Sequence, residues 1–242
     1  KRYAYDTTTV RFSGYTFENV IGGSPKLRSA AELAQRVAPQ NSPVMLVGET
    51  GTGKEICAQS IHRSSPRAGK KFVAINCAAI PETLIESLLF GTAKGSFTGS
   101  EDKAGYFEEA SGGTLFLDEL NSMSLVMQSK LLRAIQEKQI IHVGGNRVIH
   151  FDARIIAAAN RDLWKMACEH QFREDLYYRL AVLELNIPAL KDRQEDILPL
   201  FFKFMFHLNP ELSSRFPAHA DQLEPLLCSY SCPGNIRELE KF

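Results

Sequence analysis

Residues 48–55, GETGTGKE, combine three glycines with one lysine, Lys54. The spacing GxxxxGK stands directly after a short apolar run and just before a helical pattern, which is the setting that a phosphate-binding loop requires. Glycine lets successive backbone N–H groups turn inward around phosphate oxygens, and the start of a helix adds partial positive charge. We therefore predict that a nucleotide is bound by this phosphate loop, which consists of Gly48, Glu49, Thr50, Gly51, Thr52, Gly53, Lys54 and Glu55.

A second motif, GGTLFLDE at 112–119, ends an apolar run in two carboxylates, Asp118 and Glu119. A strand beside the phosphate loop would place Asp118 near Mg²⁺, directly or through water. Glu119 would then polarise an attacking water as general base. Such an ending alone is a weak signal, but about 65 residues after a phosphate loop it indicates nucleotide hydrolysis. Glu55 replaces the Ser or Thr that usually touches the metal, so the metal must depend more on other groups.

Strands and helices must position these residues, and the chain alternates between strand-like and helix-like patterns. Short apolar runs predict buried strands at 44–48, 72–76, 114–118, 154–160 and, as a possible fifth, 182–187. Helical spacing lies between them at 24–37, 53–63 and 124–138. This alternation predicts a parallel sheet covered on both faces. After Pro188 the pattern is helical, with breaks predicted at Pro210, Pro217 and Pro233, so we expect a small helical subdomain there.

The chain's patterning, charge balance and cysteine content limit its domain organisation and the class of protein to which it can belong. We expect a polar linker at 1–16, an α/β nucleotide-binding subdomain at 17–190 and a helical lid at 191–242. The 28 basic and 28 acidic residues balance to zero, which argues against a domain that grips nucleic acid by itself. No apolar run is long enough to span a bilayer, and the N-terminus lacks the core of a signal peptide. Five scattered cysteines without a CxxC pair predict reduced thiols in the cytoplasm.

Further motifs extend over nearly the whole chain from about Tyr15. They are YTFENVIGGS at 15–24, FVAINCAAIPETLIESLLFG at 72–91, GSFTGS at 95–100, GYFEEASGGTLFLDE at 105–119, KLLRAIQEKQIIHVGG at 130–145, FREDLYYRL at 172–180 and PGNIREL at 233–239. With GETGTGKE they resemble the AAA+ domain of bacterial sigma-54-dependent transcription activators, in which a glutamate after the loop lysine is usual. The resemblance implies an α/β P-loop AAA+ ATPase, with a five-stranded parallel sheet between helices and a small C-terminal α-helical lid.

The run GSFTGS places a large apolar side chain, Phe97, on a segment with glycine on both sides. Taken by itself, such a run is more often a surface loop whose ring folds back onto the core. The family, however, inserts a loop with the motif GAFTGA into a helix of the ATPase core, and nucleotide hydrolysis moves it. The resemblance therefore implies that Phe97, Thr98 and Gly99 contact sigma-54, where an exposed ring can be buried in the partner.

The resemblance also implies roles for three side chains in catalysis. Asn76 would hold Glu119 away from water until the nucleotide state changes. Arg173 and Arg179 match the pair proposed as arginine fingers, which reach the γ-phosphate bound by a neighbouring subunit. Without the resemblance, Asn76 would be an ordinary strand-end asparagine and the two arginines ordinary solvated charges of a helix.

Other matching positions concern nucleotide binding. Ile21 and Gly22 belong to the segment that lines the adenine pocket in the family. Asn160 ends the fourth predicted strand, where the sensor I residue lies, and Arg237 matches the lid arginine called sensor II. The run HVGGNRVI at 142–149 matches a second inserted loop, which couples to the first.

Several positions depart from the family pattern. They are Ser96 and Ser100 for alanine, Ala159 for the threonine before Asn160, Thr92-Ala93 for His-Glu, Leu88 for glutamate and Cys232 for tryptophan. The lost hydroxyl at Ala159 predicts altered coupling between hydrolysis and loop motion. The two serines predict weaker engagement of sigma-54.

The resemblance implies a cytoplasmic, ring-forming ATPase that uses ATP and Mg²⁺ to remodel the sigma-54 RNA polymerase closed complex. It implies a hexamer or heptamer, with DNA bound only through a helix-turn-helix domain; none follows Phe242, so the chain resembles an excised central domain. Two alternatives stay open. A nucleic-acid motor such as a ring helicase predicts basic pore loops, whereas GSFTGS is neutral and aromatic. A nucleotide-binding interaction module without turnover would not need Glu119 or the two arginines.

Overall fold

The computed structural model describes residues 15–20, 22–95, 102–208 and 220–241. Its strands are β1 Val44–Val47, β2 Phe72–Asn76, β3 Thr114–Asp118, β4 Gln139–Ile141, β5 Val148–His150, β6 Arg154–Ala159 and β7 Leu183–Asn186. Its α-helices are α1 Pro25–Val37, α2 Lys54–Arg63, α3 Glu82–Phe90, α4 Tyr106–Glu109, α5 Leu125–Glu137, α6 Leu163–Cys168, α7 Glu174–Leu180, α8 Ile197–Leu208, α9 Ala220–Ser229 and α10 Asn235–Leu239. None of the helices in these ranges has the length and apolar content needed to cross a membrane.

Five strands form one parallel sheet in the order β2-β3-β6-β1-β7. The central strand β6 is buried at every position, and β1 at its first three. Continuous apolar runs of this kind are typical of a parallel sheet covered on both faces. The sheet and all five predicted strands are therefore confirmed, and no strand end differs from its predicted position by more than one residue.

The two faces of the sheet carry two separate apolar clusters. Successive side chains of a strand point to opposite faces, so Leu115 and Leu117 of β3 belong to one cluster and Phe116 to the other. The first cluster includes the buried faces of α3, α5 and α7. The second is covered by α1 and α2, where Ala34 and Ile61 are fully buried. The sheet thus lies between helices, as the alternation of patterns predicts.

A third apolar cluster lies after β7 and is built from helical segments and from the turn between α9 and α10. Leu190, Ile197, Leu200, Cys232 and Leu239 are its buried members. The predicted break at Pro233 separates α9 from α10, while Pro210 and Pro217 lie outside the described residues. Another proline, Pro225, is accommodated inside α9.

One pair of strands was missing from the sequence prediction. Strands β4 and β5 pair antiparallel in a hairpin that directly follows α5. Each has only three residues, which is too short for a period-2 pattern to stand out. Lys138 takes a left-handed conformation at φ +53° between α5 and β4, and this turn starts the hairpin.

Candidate functional site

The carboxyl ends of neighbouring parallel strands meet at one edge of the sheet, which is where ligands bind in such folds. The phosphate loop follows β1, Asp118 ends β3 and Asn160 follows β6. Asn160 Nδ2 donates a hydrogen bond to Thr50 Oγ1 at 3.0 Å, and Asn160 N donates to Asn121 Oδ1 at 3.1 Å. Asn160 therefore ties the end of β6 to the phosphate loop.

The first two carbonyl groups of the phosphate loop accept hydrogen bonds from the ammonium group of its own lysine. Lys54 Nζ donates to Gly48 O at 2.7 Å and to Glu49 O at 2.9 Å, and the side chain is only 7% exposed. Gly51 and Gly53 have φ of +79° and +102°, which glycine adopts without strain. Burial lowers the pKa of Lys54, while the charges of Asp118 and other neighbours act on it more weakly. The ammonium group is thus fixed in place beside the carboxylate end of β3.

The two carboxylates differ in backbone and surroundings. Asp118 Oδ1 accepts from Glu119 N at 2.9 Å. Burial raises the pKa of Asp118, although the Glu119 N–H and the charge of Lys54 oppose the rise. Glu119 itself takes a left-handed conformation at φ 51° and ψ 43°, which is uncommon outside glycine and asparagine. Strained conformations of this kind cluster at functional sites.

The donor set suits a magnesium ion that is shared with phosphate groups. Within the described ranges, no three His, Cys, Asp or Glu side chains are gathered as a metal site. Magnesium, however, usually binds one or two carboxylates together with substrate phosphates and water. Burial raises the pKa of both Asp118 and Glu55. The charge of Asp118 further raises the pKa of Glu55, and the charge of Glu119 further raises the pKa of Asp118. A cation would relieve this crowding of half-buried negative charge, so the residues fit the ion.

Arg237 of α10 approaches the same site from the lid. Its charge lowers the pKa of Lys54 and acts on Asp118 and Glu55 as well. The Cβ of Arg237 lies 3.2 Å from the position that a Cβ on Gly51 would take. The structure therefore brings the predicted sensor II arginine to the phosphate loop of its own chain.

A cavity of about 360 Å³ adjoins the phosphate loop. Its walls are mainly apolar and come from the N-terminal segment, the start of α2 and the lid, with members such as Phe17, Ile187, Phe204 and Ile236. A mainly apolar cavity with a few polar groups is typical of a site for a flat heterocycle. Of the two residues expected to line the adenine pocket, Ile21 lies outside the described residues. Gly22 lies against the Asp196 carboxylate, only 2.5 Å from where a Cβ would be.

Asp196 anchors the N-terminal segment beside this cavity. Its fully buried carboxylate accepts hydrogen bonds from Gly23 N at 2.6 Å, Ser24 N at 2.9 Å and Ser24 Oγ at 2.6 Å. Nothing in the sequence marks this residue, because its partners are more than 170 positions away.

Replacing Asp196 by alanine is expected to lower the free energy of unfolding by about 3 kcal/mol, because three buried donors would lose their acceptor. Urea denaturation of Asp196→Ala measures the change. The matched control is Asp192→Ala, which removes an exposed aspartate four positions earlier and should change stability by less than about 0.5 kcal/mol. Equal stability of the two variants would contradict the anchoring role.

The two predicted arginine fingers are not brought to the phosphate loop of their own chain. Arg173 forms an ion pair with Asp175 at 2.7 Å, and its Nη1 donates to Ser129 Oγ at 3.0 Å. Arg179 is exposed, and its charge acts on the pKa of Lys138. Neither arginine is among the groups that shift the pKa of the site residues. The structure therefore does not place either arginine at the phosphate loop of its own chain.

A larger, open depression of about 700 Å³ lies beside Arg173 and is also lined by Trp164 and Tyr178. The rings of Trp164, Tyr177 and Tyr178 contact one another with centroids 5.5–5.7 Å apart. Trp164 and Tyr178 are 41% and 59% exposed. This surface has no phosphate-binding loop, so the nucleotide site is assigned to the smaller cavity.

Asn76 lies directly opposite Asp118 in the pairing of β2 with β3. Its Oδ1 accepts from Ala78 N at 2.9 Å and from Ala79 N at 3.2 Å, which closes the turn after β2. In the described part of the chain no hydrogen bond joins Asn76 to Glu119. The asparagine is thus adjacent to the end of β3, and its described contacts are those of a strand-end turn.

Phe97, Thr98 and Gly99, predicted to contact sigma-54, lie outside the described residues. The flanks of this segment are described. Thr92 N donates to Lys103 O and Lys103 N donates to Thr92 O, both at 2.9 Å. Ala93 N donates to Val143 O at 3.0 Å. Both flanks are therefore paired with each other and with the β4–β5 hairpin.

A histidine of the hairpin also contacts acidic residues near these flanks. His142, directly after β4, lies 2.7 Å from Glu108 Oε1 through its Nε2 and 3.4 Å from Asp102 Oδ1 through its Nδ1. This histidine is the first residue of the run HVGGNRVI, which matches the family's second inserted loop. Its two acidic partners could not be recognised, because nothing in the sequence indicates which carboxylates meet the hairpin.

Comparison with known proteins gives matches along most of the chain. The family model described as "Sigma-54 interaction domain" matches residues 20–186, and the model described as "AAA+ ATPase lid domain" matches residues 191–242. The transcriptional activator RocR of Bacillus subtilis is 48% identical over 226 residues, which cover 93% of this chain and 49% of RocR. The Nif-specific regulatory protein of Azotobacter vinelandii is 48% identical over 228 residues, covering 93% and 44% of the two chains.

Among solved structures, NtrX from Brucella abortus in complex with ATP aligns with a TM-score of 0.81 and 37% sequence identity. The alignment covers 92% of this chain and 51% of NtrX. The same protein in complex with ADP aligns with a TM-score of 0.80 at 36% identity, covering 92% and 50%. The chain spans about half the length of the curated relatives it matches.

Proposed function

The chain belongs to the family of sigma-54 interaction domains of transcriptional activators, and from this premise we propose that it hydrolyses ATP to remodel the sigma-54 RNA polymerase closed complex. One observation carries the proposal. The ammonium group of Lys54 is held on two carbonyls of its own loop, at 2.7 and 2.9 Å, beside the strand that ends in Asp118 and Glu119. The solved complexes of NtrX with ATP and with ADP support adenine nucleotides as the ligands.

In the proposed mechanism the phosphate loop binds the phosphates through its backbone N–H groups, and Lys54 neutralises part of their charge. Asp118, with Glu55 nearby, would hold Mg²⁺, which when bound supplies positive charge to the phosphate oxygens. Glu119 takes the proton of the attacking water as that water's oxygen bonds to the terminal phosphorus. The bond to the bridging oxygen breaks, so ADP and inorganic phosphate leave.

Arg173 and Arg179 act in this scheme on the nucleotide of a neighbouring chain. Arg179 is exposed and Arg173 is partly exposed, and neither is among the groups that shift the pKa of Lys54 or Asp118; these observations support that assignment. A head-to-tail arrangement that repeats this contact forms a ring when the rotation between neighbouring subunits closes, and we propose that it closes as a hexamer or heptamer in the cytoplasm. We assign the linker to 1–16, the nucleotide-binding subdomain to 17–190 and the lid to 191–242. The third apolar cluster supports a boundary close to residue 190, because its buried members, which begin at Leu190, form a cluster separate from the other two.

Hydrolysis must move the segment that contains Phe97, Thr98 and Gly99. The hydrogen bonds of Thr92 with Lys103, and of Ala93 with Val143, connect this segment to the β4–β5 hairpin and to α5 before it. The hairpin in turn leads into β6, which ends at Asn160 beside the phosphate loop. We propose that this path carries the change at the nucleotide to the sigma-54 contact. DNA would be bound by a separate helix-turn-helix domain.

Two measurements test the proposed function. Phosphate release should require both ATP and Mg²⁺ and should be lost in Lys54→Ala. The chain should co-elute with sigma-54 in gel filtration when ADP and a metal-fluoride mimic of the transferring phosphate are present, and not with ADP alone. Association in every nucleotide state, or no phosphate release at all, would contradict the proposal.

The segment 95–100 is tested by one substitution. Thr98→Ala is expected to abolish co-elution with sigma-54 while ATP hydrolysis stays within about twofold of the wild-type rate, because the contact and the chemistry use different residues. Ser64→Ala, at the end of α2 on the opposite side of the sheet from the hairpin, is the matched control and should leave both readouts unchanged. Co-elution that survives Thr98→Ala would assign the sigma-54 contact to another surface.

A further inference from the structure

Three successive carbonyl groups of the phosphate loop are hydrogen-bonded by the lid. Each accepts from one lid donor: Thr50 O from Asn235 Nδ2 at 3.0 Å, Gly51 O from Ile236 N at 3.0 Å and Thr52 O from Arg193 Nη2 at 3.1 Å. The donors come from two separate parts of the lid, the segment before α8 and the start of α10. The lid therefore holds the loop along its backbone, on the side of these carbonyls.

The geometry of the peptide bond makes this contact relevant to the other side of the loop. In a trans peptide the C=O and the following N–H point in opposite directions, and the described part of the chain has no cis peptide. With their carbonyls turned to the lid, these peptides turn the N–H groups of Gly51, Thr52 and Gly53 away from it. No described residue accepts a hydrogen bond from these three N–H groups. Inward-facing N–H groups are the donors that phosphate-binding loops offer to an anion.

Of the three residues that donate to the loop, Asn235 makes the most side-chain hydrogen bonds. It is 1% exposed, its Oδ1 accepts from Leu190 N at 2.7 Å, and its Nδ2 also donates to Glu49 Oε2 at 3.2 Å. Its φ is +54°, a left-handed conformation that asparagine tolerates better than most residues. The other carboxylate oxygen of Glu49 pairs with Lys191 at 2.6 Å. Asn235 thus sits at the centre of the contact between lid and loop.

We propose that Asn235 is a positioning residue for the phosphates of the nucleotide. By donating to the Thr50 carbonyl, it orients the peptide whose N–H faces the phosphate and polarises that N–H, because hydrogen bonds in a chain strengthen one another. Phosphate affinity then depends on whether the lid is seated on the loop. By linkage, bound phosphate favours the seated lid to the same extent. This inference rests on the proposed nucleotide site. It concerns a residue that contacts the carbonyl groups of the loop, whereas the role predicted for Arg237 is to sense the phosphates.

The test is Asn235→Asp, which keeps the shape, the acceptor for Leu190 N and the tolerance of positive φ. It replaces the donor by a carboxylate oxygen that faces the Thr50 carbonyl and Glu49. Calorimetric titration with ADP should give at least about a tenfold loss of affinity, since a buried hydrogen bond is lost and two acceptors are opposed. Affinity for adenosine, measured by ligand-observed NMR, should change less than about twofold because adenosine has no phosphate. Ser229→Ala removes a lid hydrogen bond to Leu226 O away from the loop and should bind ADP as the wild type does.

Two results would overturn the inference. One is an unchanged affinity of Asn235→Asp for ADP. The other is an equal loss of affinity for ADP and adenosine, which would show a general structural role. If Asn235→Asp does not melt cooperatively, Asn235→Gly replaces it, because glycine takes the positive φ without strain and has no side-chain donor; the same two results then decide. Failure of the wild-type chain to bind ADP is a separate outcome and would overturn the proposed function itself.

Discussion

Replacing Glu119 by glutamine is expected to lower the rate of ATP hydrolysis about 100- to 10,000-fold while ATP is still bound. Glutamine has the same shape as glutamate but cannot take the proton of the attacking water. The left-handed backbone at φ 51° directs the side chain from the end of β3, and the isosteric substitution leaves that backbone unchanged. Single-turnover phosphate release and calorimetric binding of ATP separate the two effects.

Glu32→Gln is the matched control, because Glu32 is exposed on α1 and distant from the carboxyl edge of the sheet. Its rate should equal that of the wild type. If Glu119→Gln retained more than about a tenth of the wild-type rate, Glu119 would not be the general base. Loss of ATP binding in the same variant would instead indicate that Glu119 supports the fold of the site.

Removing Arg173 is expected to lower hydrolysis about 1,000-fold or more, the range found for arginines that stabilise the transferring phosphoryl group. Arg179→Ala is measured in parallel, because the two side chains project from one short helical segment. Arg36→Ala is the control, since it removes an exposed arginine of α1. An effect of Arg173→Ala no larger than that of Arg36→Ala would contradict a role in catalysis.

The most decisive test of this prediction is an experiment in which two inactive variants are mixed. Lys54→Ala lacks a working phosphate loop but keeps Arg173, and Arg173→Ala has the opposite defect. In a head-to-tail ring formed from equal amounts of the two, about one interface in four joins an intact loop to an intact arginine. The mixture should therefore regain a substantial fraction of the wild-type rate. A rate equal to the mean of the separate variants would mean that the arginine acts within its own chain.

Most of the fold could be predicted from the sequence, because its signals are local. The runs that became β1, β3 and β6 are mostly apolar and are buried at nearly every position, as strands covered on both faces require. The glycine spacing of the phosphate loop and the acidic end of β3 fix the edge of the sheet at which the site must lie. The placement of Lys54, Asp118 and Asn160 at one edge follows from these signals alone.

The contacts that could not be predicted are those made over long sequence separations. Asn235 meets Glu49 across 186 positions, and Asp196 meets Gly23 across 173. No periodicity records which lid residue faces which loop carbonyl. Asn76 shows the same limit at close range, since the sequence places it beside Asp118 but does not say whether its amide faces Glu119 or the turn at Ala78. Such choices depend on the packing of the whole domain.

The paired flanks at Thr92 and Lys103 have a consequence for how this protein can change over time. Two hydrogen bonds join Thr92 to Lys103. The folded core therefore fixes the distance between the two ends of the segment that connects these residues. The entropy of closing such a segment grows slowly, by only about 0.6 kcal/mol for each doubling of its length. Substitutions or insertions between the flanks are therefore nearly free of thermodynamic penalty. The segment that we propose to contact sigma-54 can therefore diverge in sequence while the folded core stays the same.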